Sequence, residues 1–464
     1  MKINKGITKN LVNMINIVID KNSKISKKIY ERKVGQMTHK IYATIVLIAI
    51  VSIVAIPPMF TLFSITKYGV NVPYWDEWQL VPLLEKSFEG KLTFSDLFSQ
   101  HNEHRLLFPY VCMLTIAKIT KYNVVDEMYF SWILSIITFL FIYKIYEKDL
   151  KSSIFHLVMF IPVSFLFFTP MQFENIFMGW QIQYYLAVLG VVTSIYFLSY
   201  ADKVAGFNFL MAMICATVAS FSVINGLLIW IIGFLIILVK DANKKPLLLA
   251  WIIAGVGTNL IYFYGWSKPS YHPKIGFDIV YFFVSIGSPL SWGKTSSLYI
   301  GAILLFIYMI VIVFLVKYRR TKDNVIWICL IAFSVLTSVM LTLGRSGFGV
   351  DQALSSRYII YTLLGIIGVY AILINTIKKD KKYKYVCVVI MALLMIGMFF
   401  NYARGIDIEA SLHNDRIITA DNLYNYRNVS DDRLKLHMFS VAKTIREGAH
   451  ILEYRKLSVF SDSR

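Results

Sequence analysis

Long apolar runs recur along this chain and restrict its fold more than any other feature. An α-helix of about 20 apolar residues crosses the hydrocarbon core of a bilayer, whereas a membrane-spanning strand would alternate apolar and polar residues. The sequence therefore predicts an all-α polytopic membrane protein with about eleven transmembrane helices. The runs lie at 41–65, 126–143, 154–169, 184–200, 206–223, 227–239, 247–264, 297–316, 325–343, 358–376 and 385–401.

The composition agrees with this class and argues against a nucleic-acid partner. Hydrophobic residues make up 57% of the 464 residues, which is above the usual range for soluble domains. The net charge is +19, but the lysines and arginines concentrate in the N-terminal segment and in short connectors. Membrane topology requires such a distribution. The predicted partner of the apolar surface is the lipid bilayer.

The basic connectors predict the orientation of the chain. With the N-terminus in the cytoplasm, alternate counting of the spans places every basic connector on the cytoplasmic side, as the positive-inside rule requires. The C-terminus is then exported. These connectors contain Lys144, Lys148 and Lys151; Lys240, Lys244 and Lys245; Lys317, Arg319, Arg320 and Lys322; and Lys378, Lys379, Lys381, Lys382 and Lys384.

The same pattern predicts three regions. Residues 1–40 form a basic cytoplasmic N-terminus, either an amphipathic helix on an anionic leaflet or a tail that only sets orientation. Residues 41–401 form the transmembrane domain, whose first exported loop is 66–125. Residues 402–464 form an exported tail of short amphipathic helices, which either covers the site, recognises an acceptor or stabilises the fold by packing.

Two segments needed a choice between alternatives. The stretch 106–121 is short, contains Pro109 and ends in lysines, and as a span it would export every later basic connector. We therefore predict a helix that lies along the outer surface. The runs 206–223 and 227–239 are kept as separate spans because Asn225-Gly226 interrupts them and because fusing them would violate the charge rule.

The first exported loop contains the densest cluster of titratable side chains in the first half of the chain. Asp76 and Glu77 lie between two tryptophans just after the first span, and a partly desolvated carboxylate there can act as a general base. The alternative is a solvated acidic pair. A second cluster consists of His101, Glu103, His104 and Arg105. If this segment is helical, His101, His104 and Arg105 share a face, and if it is extended, successive side chains alternate sides. We predict that it binds a substrate or supports Asp76.

A metal site is the lesser alternative for that cluster, because its spacing matches no strong metal signature. We expect no cofactor. The four cysteines all lie in apolar runs, without disulfide or zinc spacing.

Further exported residues are candidates for substrate binding. Glu174 and Gln181 lie in a connector that is rich in carboxamides. Such side chains either pair with sugar hydroxyls or cap helices. Arg345 and Arg357 border a loop that re-enters the membrane at Tyr358, and they suit a phosphate group or snorkel at helix ends. Lys268, His272 and Lys274 form a weaker second candidate for the phosphate site. The spans hold few ionisable residues, which argues against an ion-coupled transporter.

This layout resembles the GT-C superfamily of integral membrane glycosyltransferases. The resemblance rests on many spans, a cytoplasmic N-terminus, and a first exported loop with an acidic motif, here Asp76-Glu77, followed by the 101–105 cluster and the helix 106–121. It covers most of 41–401. In size, in opposite-sided termini and in the polar tail, the chain is similar to polytopic glucosyltransferases that modify bacterial O-antigens.

The resemblance implies a polyprenyl-phosphate-linked sugar donor and an inverting transfer to a cell-surface glycan or a lipid-linked acceptor. It implies a bacterial inner membrane with the active site facing the periplasm or exterior, and it carries the role of general base over to Asp76. The assignment of Arg345 and Arg357 to the phosphate rests on their charge and side. The alternatives are a transporter or flippase of lipid-linked glycans and a membrane O-acyltransferase with a histidine base.

Overall fold

The computed structural model describes residues 41–150, 154–240, 245–291, 293–436, 438 and 440–461. The predicted N-terminal segment 1–40 lies outside the described residues. The chain divides into two compact units, of which the first is described from Ile41 to Ala55 and the second begins at Ile56. The described part of the first unit is the N-terminal portion of one apolar helix.

Helices form nearly all of the described structure. The only strands among the described residues are a two-residue antiparallel pair, β1 (Gln100–His101) and β2 (His104–Arg105). The helices are α1 (Ile41–Tyr68), α2 (Leu80–Phe88), α3 (Phe94–Phe98), α4 (Leu107–Ile119), α5 (Val124–Leu150), α6 (Ile154–Phe167), α7 (Phe173–Ile176), α8 (Ile182–Leu198), α9 (Phe207–Ser220), α10 (Leu228–Lys240), α11 (Lys245–Phe263), α12 (Ile279–Gly287), α13 (Lys294–Lys317), α14 (Val325–Arg345), α15 (Ile359–Lys379), α16 (Lys384–Tyr424), α17 (Asp431–Lys435) and α18 (Ala442–Arg455).

The predicted class, an all-α polytopic membrane protein, is confirmed. Over the described residues, nine helical segments are long and apolar enough to cross a membrane. They are Ile41–Tyr68, Val124–Lys148, Ile154–Ile176, Gly179–Leu198, Lys245–Phe263, Lys294–Lys317, Lys322–Phe348, Ser356–Lys379 and Lys381–Tyr424. The helix predicted over 106–121 is present as α4, and its position on an outer surface stays a prediction.

The two remaining predicted spans correspond to the shorter helices α9 and α10. These have 14 and 13 residues, or roughly 20 Å each at 1.5 Å per residue, against a hydrocarbon core of about 30 Å. The predicted interruption between them is present. Gly226 lies so close to α9 that a Cβ there would be 1.8 Å from the carbonyl oxygen of Ala219, so only glycine permits this approach.

The basic connectors meet at one end of the helix bundle. The amino groups of Lys148, at the end of α5, and Lys240, at the end of α10, contact the carbonyl oxygen of Ser199 at 3.4 and 2.6 Å. Asp323, before α14, pairs with Lys379, at the end of α15. Tyr146, near the end of α5, lies against Trp327, near the start of α14, so the ends of α5, α10 and α15 and the start of α14 lie on the same side.

The opposite ends of these helices carry the predicted binding residues. Gln181 precedes α8, Arg345 ends α14, and Arg357 precedes α15. Each of α14 and α15 has 21 residues, so its two ends are about 30 Å apart. The candidate site and the basic connectors are therefore separated by the thickness of a bilayer.

Helix α16 is much longer than the span 385–401 that the sequence predicts. It has 41 residues, or roughly 60 Å, and continues without interruption to Tyr424. Beyond residue 401 its buried positions, which include Asn401, Gly405, Glu409 and Arg416, recur with helical spacing. The predicted tail thus begins as a helical extension of the last span, followed by the short helices α17 and α18.

The polar face of this extension packs against the first loop and the end of α1. Ser64 donates a hydrogen bond of 2.8 Å to the Glu409 carboxylate, and the guanidinium of Arg416 lies 3.2 Å from the ring centre of Tyr74. Helix α18 is held against α2 by Arg455, which donates two hydrogen bonds to Glu85 at 3.0 and 2.9 Å. The tail is thereby part of the structure that shapes the first loop.

Candidate functional site

A cavity of about 370 Å³ lies at the end of the bundle that is opposite the basic connectors. Its walls come from the first loop, the start of α8, the connector that follows α11, and the loop between α14 and α15. Seven of the eleven predicted site residues line it: Asp76, His101, His104, Gln181, Arg345, Arg357 and Tyr358. Residues separated by more than 280 positions in the sequence are thus brought to one cavity.

Asp76 is the only carboxylic acid among the described residues that line the cavity. It follows Trp75, whose φ of +55° is a left-handed conformation that costs energy for a bulky residue and that turns the chain sharply. The N–H of Trp75 donates to the carbonyl oxygen of Met438 at 3.2 Å. The side chain of Asp76 is 35% exposed, and its Oδ1 lies 3.8 Å from Nε2 of His101. The geometry leaves this carboxylate accessible from the cavity.

Glu77, the adjacent predicted catalytic residue, faces the protein interior. Its side chain is 1% exposed and accepts hydrogen bonds from the backbone N–H groups of Tyr74 at 2.7 Å and Trp180 at 3.2 Å. Burial raises the pKa of Glu77 to about 7, although Arg416 and the N–H donors act in the opposite direction. The carboxyl of Glu77 therefore joins the Asp76 turn to the start of α8 and does not line the cavity.

The 101–105 cluster is extended, which settles the two local conformations left open by the sequence. His101 and His104 pair across the hairpin, and Asn102 in the loop has a φ of +50°, which asparagine tolerates well. The Nδ1 atom of His104 accepts the N–H of Ile224 at 3.3 Å, so the neutral ring carries its proton on Nε2. Burial lowers the pKa of His104 to about 4, although Glu103 opposes this.

Glu103 forms an ion pair with Arg345, and this pair separates two cavities. Arg345 lines the polar cavity that contains Asp76, and both members of the pair line a second cavity of about 240 Å³. The second cavity is mostly apolar and is bounded by side chains such as Trp266 and Leu341. Burial acts to raise the pKa of Glu103, but His104 and Arg345 lower it to about 2. Glu103 is therefore ionised at neutral pH.

Arg105 does not line either cavity. Its guanidinium donates to the carbonyl oxygens of Tyr262 at 2.6 Å and Phe98 at 2.7 Å, and also to that of Tyr264. It lies 4.6 Å from the ring centre of Phe98. Arg105, predicted as a substrate-binding residue, is engaged in fixing the hairpin to the end of α11.

Glu174 also lies behind the cavity lining and holds Arg357 in position. Its Oε2 accepts the N–H of Arg357 at 3.0 Å and the hydroxyl of Ser356 at 3.1 Å, while Oε1 lies 3.5 Å from the guanidinium. The guanidinium stacks over Trp75 at 4.8 Å from the ring centre. Glu174 fixes the start of α15, so Arg357 faces the cavity beside the Asp76 turn.

The cavity has lining residues that the sequence did not single out as candidates, including Tyr184, Tyr271 and Gln352. The hydroxyl of Tyr271 donates to the Asn102 side chain, and Gln352 accepts the hydroxyl of Tyr281 at 3.0 Å. Tyr271 lies beside Lys268, His272 and Lys274, so the polar composition around it was a usable signal. Tyr184 carried no such signal because it lies within an apolar run.

The described residues contain no group of three or more histidine, cysteine, aspartate or glutamate side chains arranged to hold a metal ion. The polar groups around the cavity are one carboxylate, two guanidinium groups, three glutamines, one asparagine, two histidines, a serine and several tyrosine and tryptophan side chains. The chemistry of such a set is compatible with a ligand that has hydroxyl groups and an anionic group.

The fold and the cavity define a polytopic membrane protein with a polar site at one end of its helices. No protein-family model matches the sequence, and neither a curated protein nor a solved structure matches the chain.

Proposed function

We propose that this protein is a membrane glycosyltransferase that transfers a sugar from a polyprenyl-phosphate-linked donor to a cell-surface glycan or lipid-linked acceptor. The observation that carries the proposal is the position of Arg345. This side chain lies between a polar cavity containing Asp76 and a mostly apolar cavity. A donor of this class has the same order of parts: a sugar, an anionic phosphate and an apolar chain.

The chemistry of the two cavities supports this arrangement. Guanidinium groups bind phosphate through two parallel hydrogen bonds, and Arg345 and Arg357 supply two of them at the polar cavity. The sugar then occupies the polar cavity, and the first carbons of the lipid chain occupy the apolar cavity. The bilayer delivers such a donor laterally, and neither ATP nor a soluble sugar nucleotide is required.

In the proposed reaction, Asp76 is the general base. The acceptor hydroxyl oxygen attacks the anomeric carbon and forms the new glycosidic bond, and its proton passes to the Asp76 carboxylate. The bond between the anomeric carbon and the phosphate oxygen breaks, and the electron pair leaves with the lipid phosphate. Arg345 and Arg357 stabilise the charge on that leaving group. Attack from the face opposite the phosphate inverts the anomeric configuration.

The charge distribution supports an exported site. Basic connectors favour the cytoplasmic side, and they meet at the end of the bundle opposite the cavity. We therefore propose that the cavity faces the periplasm or exterior of a bacterial inner membrane. The acceptor reaches it from that side.

The test is transfer of labelled sugar from polyprenyl phosphate by membranes that contain Asp76→Asn. We expect the rate to fall by about 10²- to 10⁴-fold because the variant has no base for the acceptor proton. Asp432→Asn is the control, since the Asp432 side chain is 94% exposed on the helical tail. Equal transfer by Asp76→Asn and the wild type would remove Asp76 from this role.

The same preparation separates the alternatives. Movement of a lipid-linked glycan across liposomes without a new glycosidic bond would identify a transporter. A surface product that gains the mass of an acetyl group would identify an O-acyltransferase, whereas a gain of one hexose supports the proposal.

A further inference from the structure

Two glutamines at the start of α8 have acceptor atoms that the protein itself leaves unused. Gln181 and Gln183 line the polar cavity and are 2% and 3% exposed. The side-chain oxygen of each is buried and has no hydrogen-bond partner among the described residues. The Gln181 amide nitrogen has only the sulfur of Met178 as a partner, at 3.3 Å.

Two glutamines outside this pair are satisfied by the protein, whereas the buried side-chain oxygen of Asn175, which also has no partner among the described residues, does not line the cavity. Gln172 donates to the carbonyl oxygen of Phe167 at 2.7 Å and accepts from Asn175, and it does not line the cavity. Gln352 lines the cavity, but its oxygen accepts the hydroxyl of Tyr281. Buried polar atoms in folded proteins nearly always have a partner, so the two free oxygens point to a ligand that supplies donors.

The backbone around the pair is held firmly. Gln181 ends a tight turn, Gly179–Gln181, and the N–H of Trp180 in that turn is bound by the buried Glu77 carboxylate. A Cβ on Gly179 would lie 2.2 Å from the Glu127 side chain, so the turn fits closely against α5. A fixed backbone presents both acceptors to one ligand at little entropic cost.

We infer that Gln181 and Gln183 accept hydrogen bonds from two hydroxyl groups of the sugar in a bound sugar phosphate. The inference rests on the proposed function for the substrate class and assigns the residues that read the sugar. Carboxamide oxygens accept hydrogen bonds, and the phosphodiester monoanion that links sugar and lipid has no proton to donate. The glutamines therefore bind the hydroxyl-bearing part of the ligand, while Arg345 and Arg357 bind its anionic part.

The experiment measures binding of a short-chain prenyl phosphoryl glucose, and of each of its monodeoxy analogues, to the purified full-length protein by calorimetry. We expect Gln181→Leu and Gln183→Leu each to weaken binding of the parent compound roughly 3- to 10-fold, the loss of one neutral hydrogen bond. For wild type, two of the deoxy analogues bind more weakly by a similar factor. Each of those two analogues binds one of the two variants as tightly as the parent compound binds that variant, because the hydrogen bond in question is already absent.

The effects of the variant and of the missing hydroxyl are then not additive, which distinguishes direct contact from a structural effect. A variant that only disturbs the cavity still loses affinity when any contacted hydroxyl is removed. Gln172→Leu is the matched control and leaves the deoxy pattern of the wild type unchanged. The deoxy analogues are also measured on the wild type alone. If a variant does not fold, equal binding of all analogues to the wild type still overturns the assignment.

The outcomes separate this inference from the proposed function. If every deoxy analogue binds wild type as the parent does, or if variant and deoxy effects are additive, the glutamine assignment is overturned while transfer activity is unaffected. If the predicted pattern appears but the protein transfers no sugar, the assignment stands and the transferase function is overturned. Absence of parent binding to wild type overturns the assignment.

Discussion

Replacing the buried Glu77 by glutamine changes how stability depends on pH. The carboxyl of Glu77 is nearly inaccessible and accepts N–H groups from Tyr74 and Trp180. Burial, the largest influence, raises its pKa from 4.5 to about 7. The folded protein therefore retains this proton at pH values where the unfolded chain has already lost it. The stabilising effect is fully present below pH 4.5 and is lost as the pH rises through 7.

The size of the effect follows from the two pKa values of Glu77. A difference of that size corresponds to about 3 kcal/mol of unfolding free energy over the full range. Between pH 5 and pH 8 the wild type loses about 2 to 3 kcal/mol of unfolding free energy. Glutamine does not ionise, so Glu77→Gln lacks this loss. The difference in unfolding free energy between the two proteins then shifts in favour of the variant by about 2 to 3 kcal/mol across that interval.

The assay is equilibrium unfolding in mixed micelles at pH 5, 6, 7 and 8, followed by tryptophan fluorescence. The control is Glu89→Gln, because Glu89 is a surface residue that forms an ion pair with nearby Lys91. The Glu89 control is expected to show no upward shift in favour of the variant. A free-energy difference between wild type and Glu77→Gln that stays constant from pH 5 to pH 8 would refute the reasoning.

Three further predictions concern packing, the tail and the hairpin. Gly226→Ala places a Cβ 1.8 Å from a backbone oxygen of α9 and is expected to lower the free energy of unfolding by about 3 kcal/mol or more. In the control, Gly257→Ala, the added Cβ meets no atom within 4 Å, and the melting temperature in detergent stays unchanged or rises. Arg455→Met removes the paired hydrogen bonds to Glu85 and lowers the melting temperature at low salt. Because salt screens the ion pair, 0.5 M salt should reduce this difference in melting temperature, and an undiminished difference contradicts an ionic origin. Because burial lowers the pKa of His104 to about 4, its ¹⁵N NMR signals at pH 6 are those of a neutral imidazole protonated at Nε2, and imidazolium signals would contradict the geometry.

Apolar periodicity was sufficient to predict the class of fold, and local breaks were sufficient to separate α9 from α10. The Asn225-Gly226 interruption is visible in the sequence because its cause is local: glycine fits where a Cβ would meet backbone. The length of α16 was not predictable in the same way. Its second half is polar, and partners distant in sequence, such as Ser64 for Glu409, bury that face.

The structure brings most of the predicted site residues to one cavity, but their side chains face in directions that the sequence did not indicate. Charge and side brought Asp76, Arg345 and Arg357 into one set, and the structure places all three at one cavity. Asp76 and Glu77 are adjacent, however, and only the turn that starts at Trp75 decides which of them faces the cavity. No pattern in the sequence carries that information, because the turn depends on donors from α8.

The glutamate at 174 and the arginine at 105 illustrate the same limit. Each was assigned to ligand binding on the basis of charge, and each is engaged by the protein, Glu174 with Arg357 and Arg105 with backbone carbonyls. A charged residue in a polar connector therefore indicates where polar interactions concentrate. Whether its partner is a ligand or the chain itself depends on tertiary contacts.

The contact between α18 and the first loop has a consequence for the timing of biosynthesis. Glu85 and Arg455 are 370 positions apart, and a ribosome adds about 5 to 20 residues per second. Roughly 20 to 70 s therefore pass between synthesis of the loop and arrival of the helix that holds it. Throughout that interval the Asp76 turn lacks its contacts with the C-terminal region, so the candidate site is complete only after α18 has docked.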